Sequence, residues 1–311
     1  MRRCLQLARC GRQGASPNPM VGAVVVYEGS IIGEGYHRRC GEAHAEVNAI
    51  ASVRRPELLC QSTIYVSLEP CAHYGRTPPC AQLIIDKHIP RVVVGCRDPF
   101  AQVDGRGIEM LRAAGVEVRV GVLEQECLWL NRRFITFHTL HRPYITLKWA
   151  QSQDGYIDRI RDNAEISPVR FSTPTTQALV HKLRAEHEAI LVGHRTVELD
   201  RPSLTVRYWH GQEPLRVMLS HSTTTNGTFL VFDSPEKVAS GLWEQGVQSL
   251  LVEGGAQTLQ GFIDAGLWDE IRVETAPFKL GSGLAAPIFD AQVTKSMRVD
   301  GNFIESYIKK S

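Results

Sequence analysis

Two consecutive α/β domains are what this sequence predicts, and three observations carry the expectation. Short apolar runs alternate with helix-like stretches along the chain, the order of a layered α/β fold. A chain of 311 residues is long for a single core. The alternation restarts after His141-Arg142-Pro143, which sets domains of 1–141 and 142–311.

Residues 4–14 read as a helix, ended by the turn Ser16-Pro17-Asn18-Pro19. Residues 21–27 are apolar and β-rich, and 31–35 form their hairpin partner across Glu28-Gly29-Ser30. A helix over 43–53 follows, with His44 in its first turn. The strand 63–67 stops just before Glu69-Pro70-Cys71. Pro78-Pro79 open a helix over 80–87, because proline suits a first turn. Strands at 92–95 and 116–121 flank a helix at 107–114, and one long helix is expected over 124–138. The second half gives strands at 144–149, 189–193, 217–219, 229–232, 249–252 and 271–275. Its helices fall at 175–187, 235–244 and 258–265. No internal repeat or low-complexity tract interrupts either half.

Composition narrows the function. Hydrophobic content of 43% is that of an ordinary globular protein. A net charge of +2, without a block of one sign, argues against a nucleic-acid or membrane surface. No apolar run reaches membrane-spanning length. Gln6, Arg9 and Arg12 break up any signal-like segment, so a cytoplasmic location is expected. All eight cysteines lie in the first half. In an enzyme of this size and compartment, they suit metal binding or burial better than disulfides.

The chemistry is concentrated in His44-Ala45-Glu46, Pro70-Cys71 and Cys80. One imidazole and two thiolates give a zinc ion three protein ligands and leave a fourth position for water, the pattern of a catalytic site. Cys80 starts a helix, whose dipole favours a thiolate. Zinc brings the pKa of its water to about 7. Glu46 can then pass a proton to a departing amine, and His-x-Glu with Pro-Cys is the signature of zinc nucleobase deaminases. The plainer reading makes His44 a core histidine and the cysteines buried small side chains, but the combination outweighs it. Cys40 is a rival ligand, ranked below Cys71 and Cys80.

In the second half no dinucleotide fingerprint is convincing. Gly281-Ser282-Gly283-Leu284-Ala285-Ala286 fits the letters but opens no helix within a strand–helix–strand unit. Glu253-Gly254-Gly255 is the better candidate. It joins a buried strand to a helix start, where glycines let backbone approach a phosphate. A tight turn is the alternative use of the same glycines.

The stretch from Pro70-Cys71 through His73-Tyr74-Gly75-Arg76 to Pro79-Cys80, with Ser16-Pro17-Asn18-Pro19 upstream, resembles the bifunctional deaminase/reductases of bacterial riboflavin biosynthesis. The resemblance covers nearly the whole chain. It implies a cytidine-deaminase-like α/β/α sandwich followed by a dihydrofolate-reductase-like α/β domain. It implies hydrolytic deamination of 2,5-diamino-6-ribosylamino-4(3H)-pyrimidinone 5′-phosphate, then NADPH reduction of the ribosyl group to ribityl. His44, Cys71 and Cys80 would bind zinc, Glu46 would shuttle protons, and Asn18, His73 and Arg76 would contact substrate. Asn18 could equally shape a turn, and His73 and Arg76 decorate a loop. In the second domain, Thr196, Asp200, Ser152, Asp154, Gly254 and Gly255 would contact NADPH. Leu204, Arg207 and Glu253 would contact substrate. Asp98-Pro99 and Gly105-Arg106-Gly107 also match and read as turn and helix entry. The chain departs from the pattern at Pro168, Arg170 and Arg201. Arg195 or Arg170 could pair with a 2′-phosphate. A small-molecule substrate and a homo-oligomer are expected, with no nucleic-acid or membrane partner.

Two rival readings have distinct signatures. A nucleic-acid or nucleoside deaminase with an appended binding domain would carry a basic, aromatic-studded groove. A structural zinc protein would close its site with a fourth ligand, which Cys40 would have to supply.

Overall fold

The computed structural model describes residues 1–72, 78–99, 105–222 and 227–309. The chain divides into two compact units, Met1–Leu140 and His141–Ser311.

The first unit runs α1 (Arg2–Arg9), β1 (Gly22–Tyr27), β2 (Ser30–Tyr36), α2 (Ala45–Ala51), β3 (Thr63–Leu68), α3 (Cys80–Asp86), β4 (Arg91–Cys96), α4 (Arg106–Ala113), β5 (Glu117–Val120), α5 (Glu124–Leu130) and α6 (Arg132–Leu140). Its sheet has the order β2-β1-β3-β4-β5. β1 is antiparallel to both neighbours, whereas β3, β4 and β5 are parallel. One face packs Ala45, Ala49 and Ile50 of α2, Ala81 and Ile84 of α3 and Leu111 of α4 against Val25, Ile64, Val66 and Val94. On the other, Leu5 and Ala8 of α1 meet Cys127 and Leu130 of α5 across Leu68 and Cys96. Helices on both faces make this an α/β/α sandwich, and they explain why its central strands read as continuous apolar runs.

The single helix expected over 124–138 is two helices. Asn131 ends α5, and its side chain is 3% exposed. Its Oδ1 accepts the Met20 N–H at 2.8 Å and its Nδ2 donates to the Met20 carbonyl at 2.9 Å. A buried amide that satisfies a distant backbone pair takes precedence over helix continuity.

The second unit runs β6 (Tyr144–Gln151), β7 (Tyr156–Asp158), α7 (Pro174–Ala185), β8 (Ala189–Gly193), α8 (His194–Asp200), β9 (Leu215–Leu219), β10 (Leu230–Phe232), α9 (Pro235–Glu244), β11 (Ser249–Val252), α10 (Ala256–Asp264), β12 (Glu270–Thr275), β13 (Leu284–Ala285), β14 (Val293–Val299) and β15 (Asn302–Ile308). Its sheet has the order β10-β9-β8-β11-β6-β12-β15-β14. The strands are parallel from β10 to β12, and β15 and β14 continue the sheet antiparallel. α7 begins at a Thr173 capping box with Pro174 in its first turn, and α9 begins at Ser234, which accepts the Lys237 N–H. The hairpin of β14 and β15 lies beyond the elements expected from sequence, yet Asp300-Gly301 is its signal. Both residues take positive φ, 48° and 90°, as a two-residue hairpin turn requires. Among the described residues, no helix is long and apolar enough to cross a membrane.

Asn131→Leu should unfold the first unit more easily by about 2 kcal/mol, the cost of leaving the Met20 backbone groups unpaired. Chemical denaturation followed by circular dichroism measures this, and an unchanged midpoint would remove the amide from the fold's supports.

Candidate active sites

His44 is the N-cap of α2, extended at φ −70° and ψ 167°, so its ring projects from the helix end. Cys80 opens α3, and Cys71 follows the end of β3. His44 Nδ1 lies 3.4 Å from Cys80 Sγ and 3.6 Å from Cys71 Sγ. Among the described residues, these three form a group whose ligand atoms all fall within 4.8 Å of one another. Tetrahedral bonds of about 2.0–2.3 Å set donors about 3.5 Å apart, so the donor set fits one zinc ion. Cys40 is exposed and stands outside this group.

The electrostatics suit a cation. The Cys80 thiol hydrogen-bonds to Cys71 and pulls its pKa down to about 4 against the effect of burial, with His44 helping. Cys80 moves the other way, for the same shared proton and its own burial. The Cys80 N–H also donates to Cys71 Sγ at 3.3 Å. Glu46, in the first turn of α2, is 3% exposed. Burial, reinforced by the Cys71 charge, pushes its carboxyl up to about 7. A carboxyl so placed exchanges protons near neutral pH.

Asn18 is held beside this centre by a residue the sequence reading passed over. The buried ring of His37 stands edge-on to His44, with centroids 5.4 Å apart. His37 Nδ1 lies 3.2 Å from the Ala43 carbonyl, which can only accept, so Nδ1 carries the proton. Nε2 therefore accepts from Asn18 Nδ2 at 3.1 Å. Burial holds the His37 pKa below its usual value, consistent with this neutral tautomer. With Asn18 Nδ2 donating to the ring, its Oδ1 is left as an acceptor. His73 and Arg76 lie outside the described residues.

The second unit contains a cavity of about 1140 Å³ at the carboxyl ends of β6, β8, β9 and β11, the usual ligand position on a parallel sheet. Thr196, Asp200, Glu253, Gly254 and Gly255 line it. A Cβ on Gly254 would lie 2.7 Å from the Gly193 nitrogen, so glycine is needed there for the approach of β11 to β8. Gly255 caps α10 and donates its N–H to Thr196 Oγ1 at 3.2 Å. Ser152, Asp154, Leu204 and Arg207 are not among the lining residues. Ser152 Oγ donates to Asp154 Oδ1 at 2.6 Å, and Asp154 accepts the Leu280 and Gly281 N–H groups. Leu204 is 2% exposed and packs with Leu183, Ile190 and Leu251. Arg207 lies across Tyr208 and bonds Ser203 and Thr205. Of the departures, Pro168 lines the cavity, Arg170 is exposed and Arg201 ends α8 in the left-handed region. Arg195 reaches the cavity and donates to the Arg161 carbonyl.

Three further cations shape this cavity. Arg161 bridges Asp158 at 2.6 Å and Asp200 at 2.7 Å. Arg184 grips Glu253 with two bonds of 3.0 and 2.7 Å. Lys148 lines the cavity, and among the described residues its ammonium has no hydrogen-bond or ion-pair partner. Burial lowers its pKa, against the pull of Glu253 and Glu274. A signal for Lys148 existed, since it is the one charge in the apolar run Tyr144-Ile145-Thr146-Leu147-Lys148-Trp149. Asp200 lies 39 residues from Arg161 and Glu253 69 from Arg184, beyond any local pattern.

A His-Cys-Cys centre with a buried glutamate on one sandwich, followed by a nucleotide-sized cavity on a second sheet, defines a metal-dependent deaminase joined to a reductase. Comparisons with known proteins agree. Residues 1–96 match the zinc-binding region of cytidine and deoxycytidylate deaminases, and residues 143–309 match the RibD C-terminal domain. The chain is 39% identical to riboflavin biosynthesis protein RibD of Aquifex aeolicus, over 92% of this chain and 88% of that protein. It is 34% identical to that of Escherichia coli, over 91% and 88%. A crystal structure of a diaminohydroxyphosphoribosylaminopyrimidine deaminase/5-amino-6-(5-phosphoribosylamino)uracil reductase from Thermotoga maritima superposes with TM-score 0.87 and 34% identity, covering 99% of this chain and 97% of that one. Acinetobacter baumannii RibD superposes with TM-score 0.89 and 29% identity, covering 100% and 98%. The chain belongs to the RibD family of bifunctional deaminase/reductases in riboflavin biosynthesis, with zinc and NADPH as cofactors.

Arg184→Met should cost about 3–5 kcal/mol at neutral pH, because it strands a buried carboxylate. Burial alone would raise the Glu253 pKa, but Arg184 and Lys148 outweigh it and hold the group below its ordinary value. A lowered carboxyl contributes stability in full above its unfolded pKa of about 4.3 and loses it as pH falls through the folded value. The gap between variant and parent should therefore narrow in acid. Urea unfolding at several pH values tests both statements, and a constant gap would contradict the ionic account.

Proposed function

We propose that the first unit deaminates 2,5-diamino-6-ribosylamino-4(3H)-pyrimidinone 5′-phosphate and that the second reduces the ribosyl group of the product to ribityl. The observation that carries this reading is the convergence of His44, Cys71 and Cys80 beside a buried carboxylic acid. The deaminase and reductase activities of the Thermotoga relative support the substrate.

His44 Nδ1 and the two Sγ atoms would hold zinc, which supplies Lewis acidity and a nucleophilic water at neutral pH. The Glu46 carboxyl, poised near neutral pH, would carry a proton from the attacking water to the departing amine, so the two transfers would need one side chain. Asn18 Oδ1 accepts from the pyrimidine, and His73 and Arg76 bind its carbonyl or phosphate. In the second unit Thr196, Asp200, Gly254 and Gly255 hold NADPH, with Ser152 and Asp154 shaping the strand-end turn beneath it. Arg207 binds the substrate phosphate, Leu204 backs the site from the core it shares with Leu183, Ile190 and Leu251, and Glu253 and Lys148 meet the ribose. The reductase residues place the nicotinamide against the ribose carbon and exclude water. We further propose a cytoplasmic homo-oligomer acting on this small molecule alone.

Incubation with the diaminopyrimidinone phosphate, followed by mass spectrometry, tests both halves. Loss of ammonia without NADPH, then gain of two hydrogens with it, is the expected order. Intact substrate in both arms would refute the assignment. Glu46→Gln should keep its zinc by atomic absorption yet release ammonia at least about 100-fold more slowly. Turnover near the parent rate would take Glu46 out of the chemistry.

A further inference from the structure

Glu69 lies between the end of β3 and Cys71, and its carboxylate is 4% exposed. No cation neutralises it among the described residues. Backbone N–H groups surround it instead. Oε1 accepts from Gly107 at 2.9 Å and Ile108 at 3.3 Å. Oε2 accepts from Gly105 at 3.0 Å and Asp98 at 3.4 Å. Three of these donors belong to the start of α4, where the helix dipole favours an anion. The Glu69 N–H itself donates to the Cys96 carbonyl at 3.0 Å, tying the segment to β4.

The bracket continues into the next residue. A Cβ on Gly107 would stand 1.9 Å from the Pro70 carbonyl oxygen, so the first turn of α4 rests on Pro70. Proline fixes its own φ, and Cys71 comes next. On its far side Cys71 is held by α3, since its carbonyl accepts the Ala81 N–H at 3.2 Å and its Sγ the Cys80 N–H at 3.3 Å. An apolar side chain at 69 would fill the space but leave four N–H groups unsatisfied. A two-oxygen acceptor also ties the strand end to α4.

We propose that Glu69 is a positioning residue for the metal centre, gripping the start of α4 to fix the direction of the Cys71 thiolate. The inference rests on the reading of His44, Cys71 and Cys80 as zinc ligands. Glu69→Gln keeps the shape but turns an NH₂ group toward N–H donors, so up to two of the four bonds are lost. Zinc affinity of the full chain, by chelator competition, should fall about 10–100-fold, the range for groups that orient a metal ligand. The visible absorption of the cobalt-substituted protein should shift, because the thiolate direction changes. Both readouts are independent of turnover. If Glu69→Gln does not fold, Gly107→Ala displaces Pro70 with the carboxylate intact and is read by the same measurements. Lower stability with parental zinc affinity and an unchanged cobalt spectrum would overturn the proposal. A parent chain that binds no zinc would instead sink the metal reading itself.

Discussion

α2 lies against β2 so closely that a side chain between them has no room. A Cβ on Gly35 would fall 2.3 Å from the Ala49 nitrogen, and one on Gly33 would fall 2.5 Å from the Ala49 carbonyl oxygen. That contact fixes the helix on the sheet, and the helix fixes His44, because an N-cap residue has little freedom once the first turn is set. Glu46, two residues on, is carried into the interior by the same turn. The first site therefore depends on a backbone approach remote from the metal donors. Widening it by one methyl group would move the imidazole and the carboxyl together.

Charge is managed differently in the two units. The first gathers the Cys71 and Cys80 sulfurs and the Glu46 carboxyl around the end of β3 and the starts of α2 and α3, and leaves the cation to come from outside. The second pairs its carboxylates internally, Asp158 and Asp200 on Arg161 and Glu253 on Arg184. Lys148 then stands in the cavity wall without a protein partner. A dinucleotide and a sugar phosphate bring anionic and hydroxyl oxygens, for which such an ammonium is a suitable donor. Pairing the carboxylates first keeps the cavity from repelling those anions.

The sequence was most legible where chemistry and local geometry coincide. His44, Glu46, Cys71 and Cys80 stand at helix starts and a strand end that prolines and apolar runs announce. Asn131 was read as helix interior because its partner, Met20, is 111 residues away. Glu69 was passed over for a similar reason, since its donors begin 29 residues later. In the second unit, nothing local marks Arg184, inside the helix expected over 175–187, as the partner of a strand-end glutamate 69 residues on. Strand order is likewise a long-range property. Periodicity located β6, β8 and β11, but only their pairing makes a cavity of their ends.

The spacing of the two cysteines shows how such a site can change its substrate without losing its metal. Eight residues separate Cys71 from Cys80, where most zinc deaminases have two. The Ala81 N–H reaches the Cys71 carbonyl, and the Cys80 N–H reaches the Cys71 sulfur. The excursion thus begins and ends at one hydrogen-bonded point, and its length is decoupled from the donor geometry. Lengthening a closed loop costs little, on the order of 0.6 kcal/mol per doubling. His73 and Arg76, the proposed substrate contacts, fall within this span of sequence, so its length and composition can change while the anchored ends hold Cys71 and Cys80 together.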